Sequence, residues 1–414
     1  MRIFLGQWLT ALVMVVPNIL WAQPVKTLPS LADLYTEAWQ RHPAYAALAA
    51  RQTQYETARQ LAQSVIASAP SASLGYRGDT TSSLTARNGL REWELGISTP
   101  LAIGERRHFA TETARQQANV YAAEVNHAQW LLAGEVREAY WAWQLSHIEH
   151  LLLDDEVKRA EVLVNDSARR TKAGETPRVD TLQAESLLGL AKVSQAEALQ
   201  KETHALSALQ RLTGPKLLVS LSDAALGTYQ SEVLKNQKLS AHPVLSALEA
   251  QQLLAKTKLE SAIRVRGEAP VLGTGLARES NNTPITQTSA RISLGFTFGS
   301  DARYAPKIAE ASAEAIESEV LLIRGNEQLA QDISVATIAL QTTEQKKSLA
   351  QRRAATSIET AQLFAKAFAL GELDMPARLR AETDRASAVL AANRAAIESA
   401  AAISKLNQIL GYLP

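Results

Sequence analysis

Residues 42–75 read HPAYAALAARQTQYETARQLAQSVIASAPSASLG, and the same pattern returns at residues 242–275 as HPVLSALEAQQLLAKTKLESAIRVRGEAPVLGTG. The identities keep an offset of 200 residues and include His42-Pro43 with His242-Pro243, Ala69-Pro70 with Ala269-Pro270, and Gly75 with Gly275. Further along, the offset falls to 197 and aligns Gly174-Glu175 with Gly371-Glu372 and Leu209 with Leu406. A unit of about 200 residues is too long for a solenoid repeat of roughly 20–50 residues. The sequence therefore predicts two copies of one architectural half, packed as a pseudo-symmetric pair.

The repeat divides the chain into four parts. Residues 1–22 are predicted to be an export signal, since Arg2 is followed by a mostly apolar stretch and by a small residue at Ala22. The alternative for this segment is an uncleaved membrane anchor. The first structural repeat is predicted at 23–214, an inter-repeat equatorial segment at 215–240, and the second structural repeat at 241–414. The chain has no cysteine, which excludes disulfides and thiolate metal sites.

Each half is predicted to run helix, strand, strand, long helix, tip, helix. Few aromatic residues (5%) and abundant alanine favour long helices that pack closely through small side chains. The pattern predicts helices at about 30–65, 105–172, 177–212, 243–263, 305–369 and 376–410. It predicts strands near 71–78, 91–99, 269–278 and 291–298, with polar loops at 79–90 and 279–289. The tips are predicted at 173–177, with Thr176 as N-cap and Pro177 as first helical residue, and at 370–374.

The strands have lengths and faces typical of a transmembrane barrel. About 9–11 residues suffice for a tilted strand to cross a bilayer. One apolar face and one small or polar face are typical of strands between lipid and water. The lipid-facing candidates are Leu74, Tyr76, Trp93, Leu95, Ile97, Ile292, Leu294, Phe296 and Phe298. Four strands cannot close a barrel alone, so three chains supplying twelve strands are a plausible assembly. The alternative is that the two hairpins cap a soluble coiled coil.

These patterns resemble the TolC-like outer membrane factor family over essentially the whole predicted mature chain. The resemblance is carried by the doubled plan, by Gly174-(x)5-Asp180-x-Leu182-x-Ala184, by Gly371-(x)7-Leu379-x-Ala381, and by the endings Leu209-(x)4-Gly214 and Leu406-(x)4-Gly411. It implies a mainly α fold with a small β part. Long antiparallel coiled-coil helices would form a trimeric α-barrel, and four strands per chain would complete a 12-strand transmembrane β-barrel. The general look is also similar to the CzcC-like branch, whose pumps export divalent metal cations.

The resemblance also implies a location, partners and a gate. The protein is expected in the outer membrane with a long periplasmic extension, as a homotrimer in contact with outer membrane lipid, a periplasmic adaptor and an inner membrane pump. The inner end of the tube is expected to close at the tips, where the candidate residues are Gly174, Thr176, Asp180, Gly371, Asp374, Arg378 and Arg380. Asp180 falls on the family's acidic position, whereas its second-half match is Ala377. The alternative is that these charges form a solvated tip.

Chemistry beyond transport finds little support in the sequence. His147 and His150 could share one helix face, but a metal site needs more ligands at fixed spacing, so a solvated helix is the preferred interpretation. His42 and His242 precede proline in equivalent places and are predicted to mark helix starts. No phosphate loop and no nucleophile–base motif appears. We therefore expect no enzyme activity, no catalytic residues, no cofactor and no metal site, and the net charge of +1 argues against nucleic acid.

The sequence thus predicts a passive exit duct of a tripartite efflux system, with divalent metal cations as a candidate cargo. Two alternatives remain: a soluble periplasmic coiled-coil adaptor or scaffold, and a duct for drug efflux or type I secretion.

Overall fold

A computed structural model describes residues 30–79, 89–215, 232–233, 242–281 and 285–414. The helices and strands of these residues are α1 (Leu31–Arg41), α2 (Pro43–Ala62), β1 (Ser71–Gly78), β2 (Arg91–Pro100), α3 (Glu105–Lys172), α4 (Arg178–Thr213), α5 (Pro243–Arg264), β3 (Val271–Ser280), β4 (Thr286–Gly295), α6 (Asp301–Ala369) and α7 (Met375–Ile409). The predicted signal peptide, most of the predicted loop at 79–90 and nearly all of the equatorial segment lie outside the described residues.

Both halves follow the same plan, as the repeat predicts. The order α2, β1, β2, α3, α4 returns as α5, β3, β4, α6, α7. The two long helices, α3 and α6, have 68 and 69 residues, which corresponds to about 100 Å each. Within each half the long helix packs along the shorter helix that follows it, α3 on α4 and α6 on α7. None of the described helices combines the length and apolar character needed to span a bilayer.

The first predicted helix, 30–65, is wrong as a single element because the chain breaks at His42. Ser30 caps α1 in a full capping box with Asp33. The α1 helix ends at Arg41, since His42 is extended (φ −70°, ψ 136°) and the residue before a proline disfavours helical geometry. The Nδ1 atom of His42 then accepts the Ala44 N–H and caps α2. His242 caps α5 in the same way, so both histidines mark helix starts as predicted.

The tips of the two helical hairpins share one backbone motif. Gly174 and Gly371 have φ of +76° and +79°, a conformation that glycine adopts without steric cost. Each N–H bonds back to the carbonyl three residues earlier, and the next residue bonds back five residues, which is the Schellman ending of a helix. The predicted N-cap at Thr176 is wrong. Its hydroxyl bonds to Thr171 Oγ1 (3.2 Å), and Pro177 is the N-cap of α4.

The four strands form one antiparallel sheet in the order β1-β2-β3-β4. β2 and β3 join the two halves, with Gly96 opposite Gly275. The first hairpin agrees with its predicted bounds, but the second is shifted. β3 covers 271–280 rather than 269–278, and β4 covers 286–295 rather than 291–298. Backbone pairing continues into residues 279–280 and 286–289, whose polar side chains had predicted a loop.

The main hydrophobic core lies where the short helix α1 packs against the long helices. It combines Leu34 and Leu209, which are fully buried, with the aromatic cluster Tyr140, Trp141 and Trp143 of α3. Toward the tips the core narrows to small layers, such as Ala184 with Leu163, Phe368 and Met375. Alanine at these positions allows the helices to approach closely, which fits the predicted role of small residues.

Candidate functional site

One face of the sheet is an exposed apolar surface. The strand register places these side chains in rows across the four strands: Leu74–Leu95–Leu276–Ala290, then Ala72–Ile97–Thr274–Ile292. Tyr76 and Trp93 stand opposite each other at one end of this face, with ring centroids 4.8 Å apart. Ile292 is 81% exposed although it is aliphatic. An exposed apolar surface of this extent is typical of a face that is covered by lipid or by another protein molecule.

The predicted lipid-facing set is only partly on the strands. Leu74, Tyr76, Trp93, Leu95, Ile97, Ile292 and Leu294 share the apolar face. Phe296 and Phe298 lie beyond Gly295, the last residue of β4, and both are exposed. The ladder ends there because Gly295 pairs with Val271, and Val271 is preceded by Pro270, which has no N–H to extend the pairing.

The opposite face of the sheet is polar and carries crossing ion pairs. Arg77 pairs with Glu92 on the neighbouring strand (3.6 Å). Arg291 of β4 reaches past β3 to Glu94 of β2 (3.1 Å), because Gly275 between them has no side chain. The sheet therefore separates an apolar face from a charged, hydrated face, as the alternation in the sequence predicts.

At the tips, the structure gives the predicted residues different roles. Asp374 caps α7 by accepting the Ala377 N–H (3.0 Å), so its carboxylate serves the helix start. Asp180 lies in the first turn of α4, half-buried, and its side chain forms no hydrogen bond within the described part of the chain. Arg380 is exposed. Within the described chain, the side chains of Asp374, Arg378 and Arg380 therefore form no ion pair with one another, and their predicted role in closing the tip stays a prediction.

Arg378 is the tip residue that connects the two repeats. Its guanidinium lies over the Phe368 ring (4.9 Å to the centroid) and its Nη1 is 3.7 Å from Asp166 of α3. Arg170 covers the same ring (5.1 Å) and also contacts Asp166 (3.5 Å). Only 18% of the Arg378 side chain is exposed. Arg170 and Arg378 therefore both contact the Phe368 ring and the Asp166 carboxylate. We name this cluster of four residues, which connects the two tips, the lock.

This lock continues along the contact of α3 with α7 as a row of ion pairs, which we name the α3–α7 seam. It consists of Asp166–Arg378, Glu156–Arg385 (2.7 Å) and Glu149–Arg394. Burial raises the pKa of Glu156, against the opposite pull of Arg385. The sequence did not reveal the three acids, because each lies more than 200 residues from its arginine and no local pattern gives the register of two antiparallel helices.

His147 and His150 are not solvated, so that preferred interpretation is wrong. Both reach Glu202 of α4, at 2.7 and 2.5 Å from Nδ1, and His147 stacks on Trp143 (5.3 Å). One carboxylate thus joins two imidazoles across the α3–α4 contact. Among the described residues no group of three or more His, Cys, Asp or Glu side chains could hold a metal ion.

The helices also expose apolar side chains in a repeating pattern. Val179, Leu182, Leu190 and Val193 of α4 are more than half exposed, and α6 has a similar set in Val335, Ile338, Leu349 and Leu363. Helical faces of this kind are suited to pack against another helix.

A sheet with one exposed apolar face, continuous with paired helices of about 100 Å, is also the fold of solved outer membrane channels. The family model of the outer membrane efflux proteins matches residues 34–215, which cover most of the first repeat, so this part of the chain is similar to that family. The family consists of efflux channels rather than enzymes, and the predicted family, fold class and outer membrane location are confirmed. No curated protein sequence matches the chain.

Solved structures share this fold at low sequence identity. The Campylobacter jejuni CmeC outer membrane channel aligns with a TM-score of 0.73 at 15% identity, over 92% of this chain and 85% of that chain. CusC, whose crystal structures concern folding and transmembrane channel formation, aligns with a TM-score of 0.74 at 15% identity, over 98% and 99%. The open state of the Neisseria gonorrhoeae MtrE outer membrane channel gives 0.71 at 18% identity, over 92% and 89%.

Proposed function

We propose that three copies of this chain form a passive exit duct across the outer membrane. The observation that carries the proposal is the four-stranded sheet, which has one exposed apolar face and two edge strands, β1 and β4, without a neighbour on their outer sides within the described chain. Unpaired strand edges are not tolerated in a bilayer. Three copies supply twelve strands, and edge-to-edge pairing of β4 with β1 of the next copy closes the cylinder.

The dimensions of the sheet agree with this role. A strand of 10 residues such as β2 is roughly 34 Å long. Tilted by about 40° it spans roughly 26 Å, close to the apolar band of outer membrane barrels. The apolar rows face lipid, and the polar face with Glu92, Glu94 and Arg291 lines a water-filled lumen. The helices continue the duct into the periplasm.

The similarity to the efflux family supports the proposal that the duct has partner proteins. The duct works with a periplasmic adaptor and an inner membrane pump, and it has no catalytic residues of its own. We propose divalent metal cations as cargo, on the resemblance to the CzcC-like branch. A passive tube needs no metal ligands along its wall.

Membrane insertion is tested with a matched pair of lysine substitutions on adjacent residues of β4. Ile292→Lys places a charge on the apolar face, which costs about 2–4 kcal/mol per chain near the middle of a bilayer. Ser293→Lys places the same charge on the polar face. We expect Ile292→Lys to abolish the heat-sensitive trimer in the outer membrane fraction, while Ser293→Lys retains it. Equal recovery of both variants would show that the sheet does not face lipid.

The cargo is tested by deleting the gene. Loss of the duct should sensitise cells to zinc, cobalt or cadmium more strongly than to hydrophobic drugs. The reverse order would reject the metal cargo while leaving the duct in place. Planar-bilayer recordings of the purified protein test the channel itself, and recovery as a soluble monomer without conductance would overturn the proposed function.

A further inference from the structure

The α3–α7 seam joins the two repeats within one chain, and the repeat gives it a counterpart. At the offset of 197 that aligns Gly174 with Gly371, residues of α3 correspond to residues of α6, and residues of α4 correspond to residues of α7. The counterpart of the seam is therefore a contact of α6 with α4. Within the described chain α6 packs against α5 and α7 but not along α4. This contact can be made only with the α4 of a second copy, as the proposed trimer would supply.

The face of α6 that corresponds to the seam is uncovered, and the exposure of its side chains shows this. The α3 side chains of the seam are covered by α7: Glu149 is 10% exposed, Glu156 16% and Asp166 28%. Their counterparts on α6 are Lys346, Arg353 and Leu363, and all three are exposed. The same helix face is thus covered in the first repeat and uncovered in the second.

At one of these three positions, that of Lys346, the charges are complementary and reversed, whereas Arg353 pairs with Asp384 of α7 in its own chain (2.8 Å). Glu149 corresponds to Lys346 and Arg394 corresponds to Glu197. The ion pair Glu149–Arg394 inside the chain would therefore correspond to Lys346–Glu197 between two copies, with the acid and the base exchanged. Lys346 and Glu197 are both exposed, and neither has an ion pair with another described residue. Because both charges are reversed, the pair Lys346–Glu197 would still attract. A reversal at only one of the two positions would place like charges together.

The tip ends of the two contacts differ in kind. The lock residues Asp166 and Arg378 correspond to Leu363 and Thr181. Leu363 is 57% exposed, and close to Thr181 the α4 helix exposes Val179 and Leu182. The contact between copies is therefore apolar at the tip, where the contact within the chain is ionic.

The sheet gives the same neighbour and a register. β4 corresponds to β2 and β1 corresponds to β3, and within the chain Gly96 pairs with Gly275. The counterpart pair is Gly295 with Gly75 of a second copy. The apolar pair Leu95–Leu276 likewise becomes Leu294 with Tyr76.

We propose that a second copy of this chain docks its α4 along α6 and its β1 along β4, with Lys346 opposite Glu197 and Leu294 opposite Tyr76. The proposal rests on the trimeric duct and specifies how its subunits meet. Charge complementarity at one end and strand register at the other fix the same relative placement of the two copies.

Charge exchange in the purified full-length protein tests the helical part. Lys346→Glu and Glu197→Lys each place like charges together, and each should speed dissociation of the trimer about tenfold or more. The double variant should restore the wild-type rate. Lys347→Glu is the matched control, because its counterpart His150 faces α4 inside the chain. Additive loss in the double variant, or an equal effect of the control, would overturn the pairing.

Cross-linking tests the register, since the chain has no native cysteine. Tyr76→Cys with Leu294→Cys should form an intermolecular disulfide that gives a covalent trimer on a non-reducing gel. Tyr76→Cys with Ile292→Cys, displaced by two residues, should give at least about tenfold less. Cross-linking that favours the displaced pair would refute the register while the trimer and its conductance stand. A wild-type protein that is monomeric would remove both this inference and the proposed function.

Discussion

Replacing Arg378 by alanine should loosen the tips without unfolding the helices. The substitution removes two contacts, the stack on Phe368 (4.9 Å) and the ion pair with Asp166 (3.7 Å). A cation over an aromatic ring contributes about 0.5–2 kcal/mol, depending on its exposure. An ion pair that remains partly exposed contributes about 0.2–1 kcal/mol. The gross loss is therefore about 1–3 kcal/mol.

One contribution to the free energy opposes this loss of stability. The Nε of Arg378 is buried and forms no hydrogen bond with another described residue. Removing an unsatisfied buried donor recovers roughly 1 kcal/mol. The expected net destabilisation of the closed tip is thus up to about 2 kcal/mol, which corresponds to local opening that is up to about 30-fold more frequent.

Amide hydrogen exchange of the purified protein measures this opening directly. Exchange should accelerate by that factor in the two tips, residues 166–176 and 366–376, and remain unchanged in the core around Trp143. Arg380→Ala is the matched control, since it removes the same charge two residues away from an exposed position. Tip exchange in Arg378→Ala no faster than in the control would refute the assignment of a lock. Acceleration throughout the helices would assign Arg378 to global stability instead.

Three further substitutions probe other parts of the chain. Glu232→Gln removes the carboxylate that holds the buried Arg137 (2.8 and 3.1 Å), and should cost about 3–5 kcal/mol in thermal unfolding; a loss under about 1 kcal/mol would contradict a buried ion pair. Burial lowers the pKa of His242 below its usual value near 6.5, so its contribution to stability is present above pH 6.5 and is lost as the pH falls through the lowered pKa. His242→Asn keeps a capping side chain, and its thermal stability should fall less than that of the wild type between pH 7.5 and 5.5. His42 is only half-buried and serves as the control. If His42→Asn reduced the pH dependence equally, the effect would belong to the cap and not to burial of the ring. Asp180→Ala should raise single-channel conductance if Asp180 helps to close the tip, and unchanged conductance would place it in a solvated tip.

Local signals in the sequence predicted the elements that local chemistry determines. The bounds of α3 follow from a long stretch without proline that ends at Gly174, where positive φ favours glycine. β1 and β2 follow from alternation between Pro70 and Pro100. The shift of β4 has a different cause, because its first residues, from Thr286, are held by backbone bonds to β3 and not by their own side chains.

The candidate site depended on contacts between distant residues, and there the sequence was a weaker guide. His147 and His150 gave the correct helix but not the Glu202 carboxylate that lies 52 residues beyond His150. Arg378 was identified as a tip residue, but Asp166 and Phe368 were not, since the pairing of α3 with α7 is set by the packing of two whole repeats. The repeat itself carried this information in part, because aligned positions must occupy equivalent places in the two halves.

The divergence of the two repeats along the seam has a physical reason. The contact of α3 with α7 forms within one chain, at a high effective concentration, so partly buried ion pairs such as Glu156–Arg385 can be desolvated as the chain folds. In the proposed trimer, the face of α6 would stay in water until a second copy binds to it. Exposed Lys346 would keep that face hydrated before assembly, while the apolar area of Leu363 would leave water only on assembly. An ionic seam inside the chain and a mixed, partly apolar seam between chains would therefore suit the proposed assembly from separate subunits.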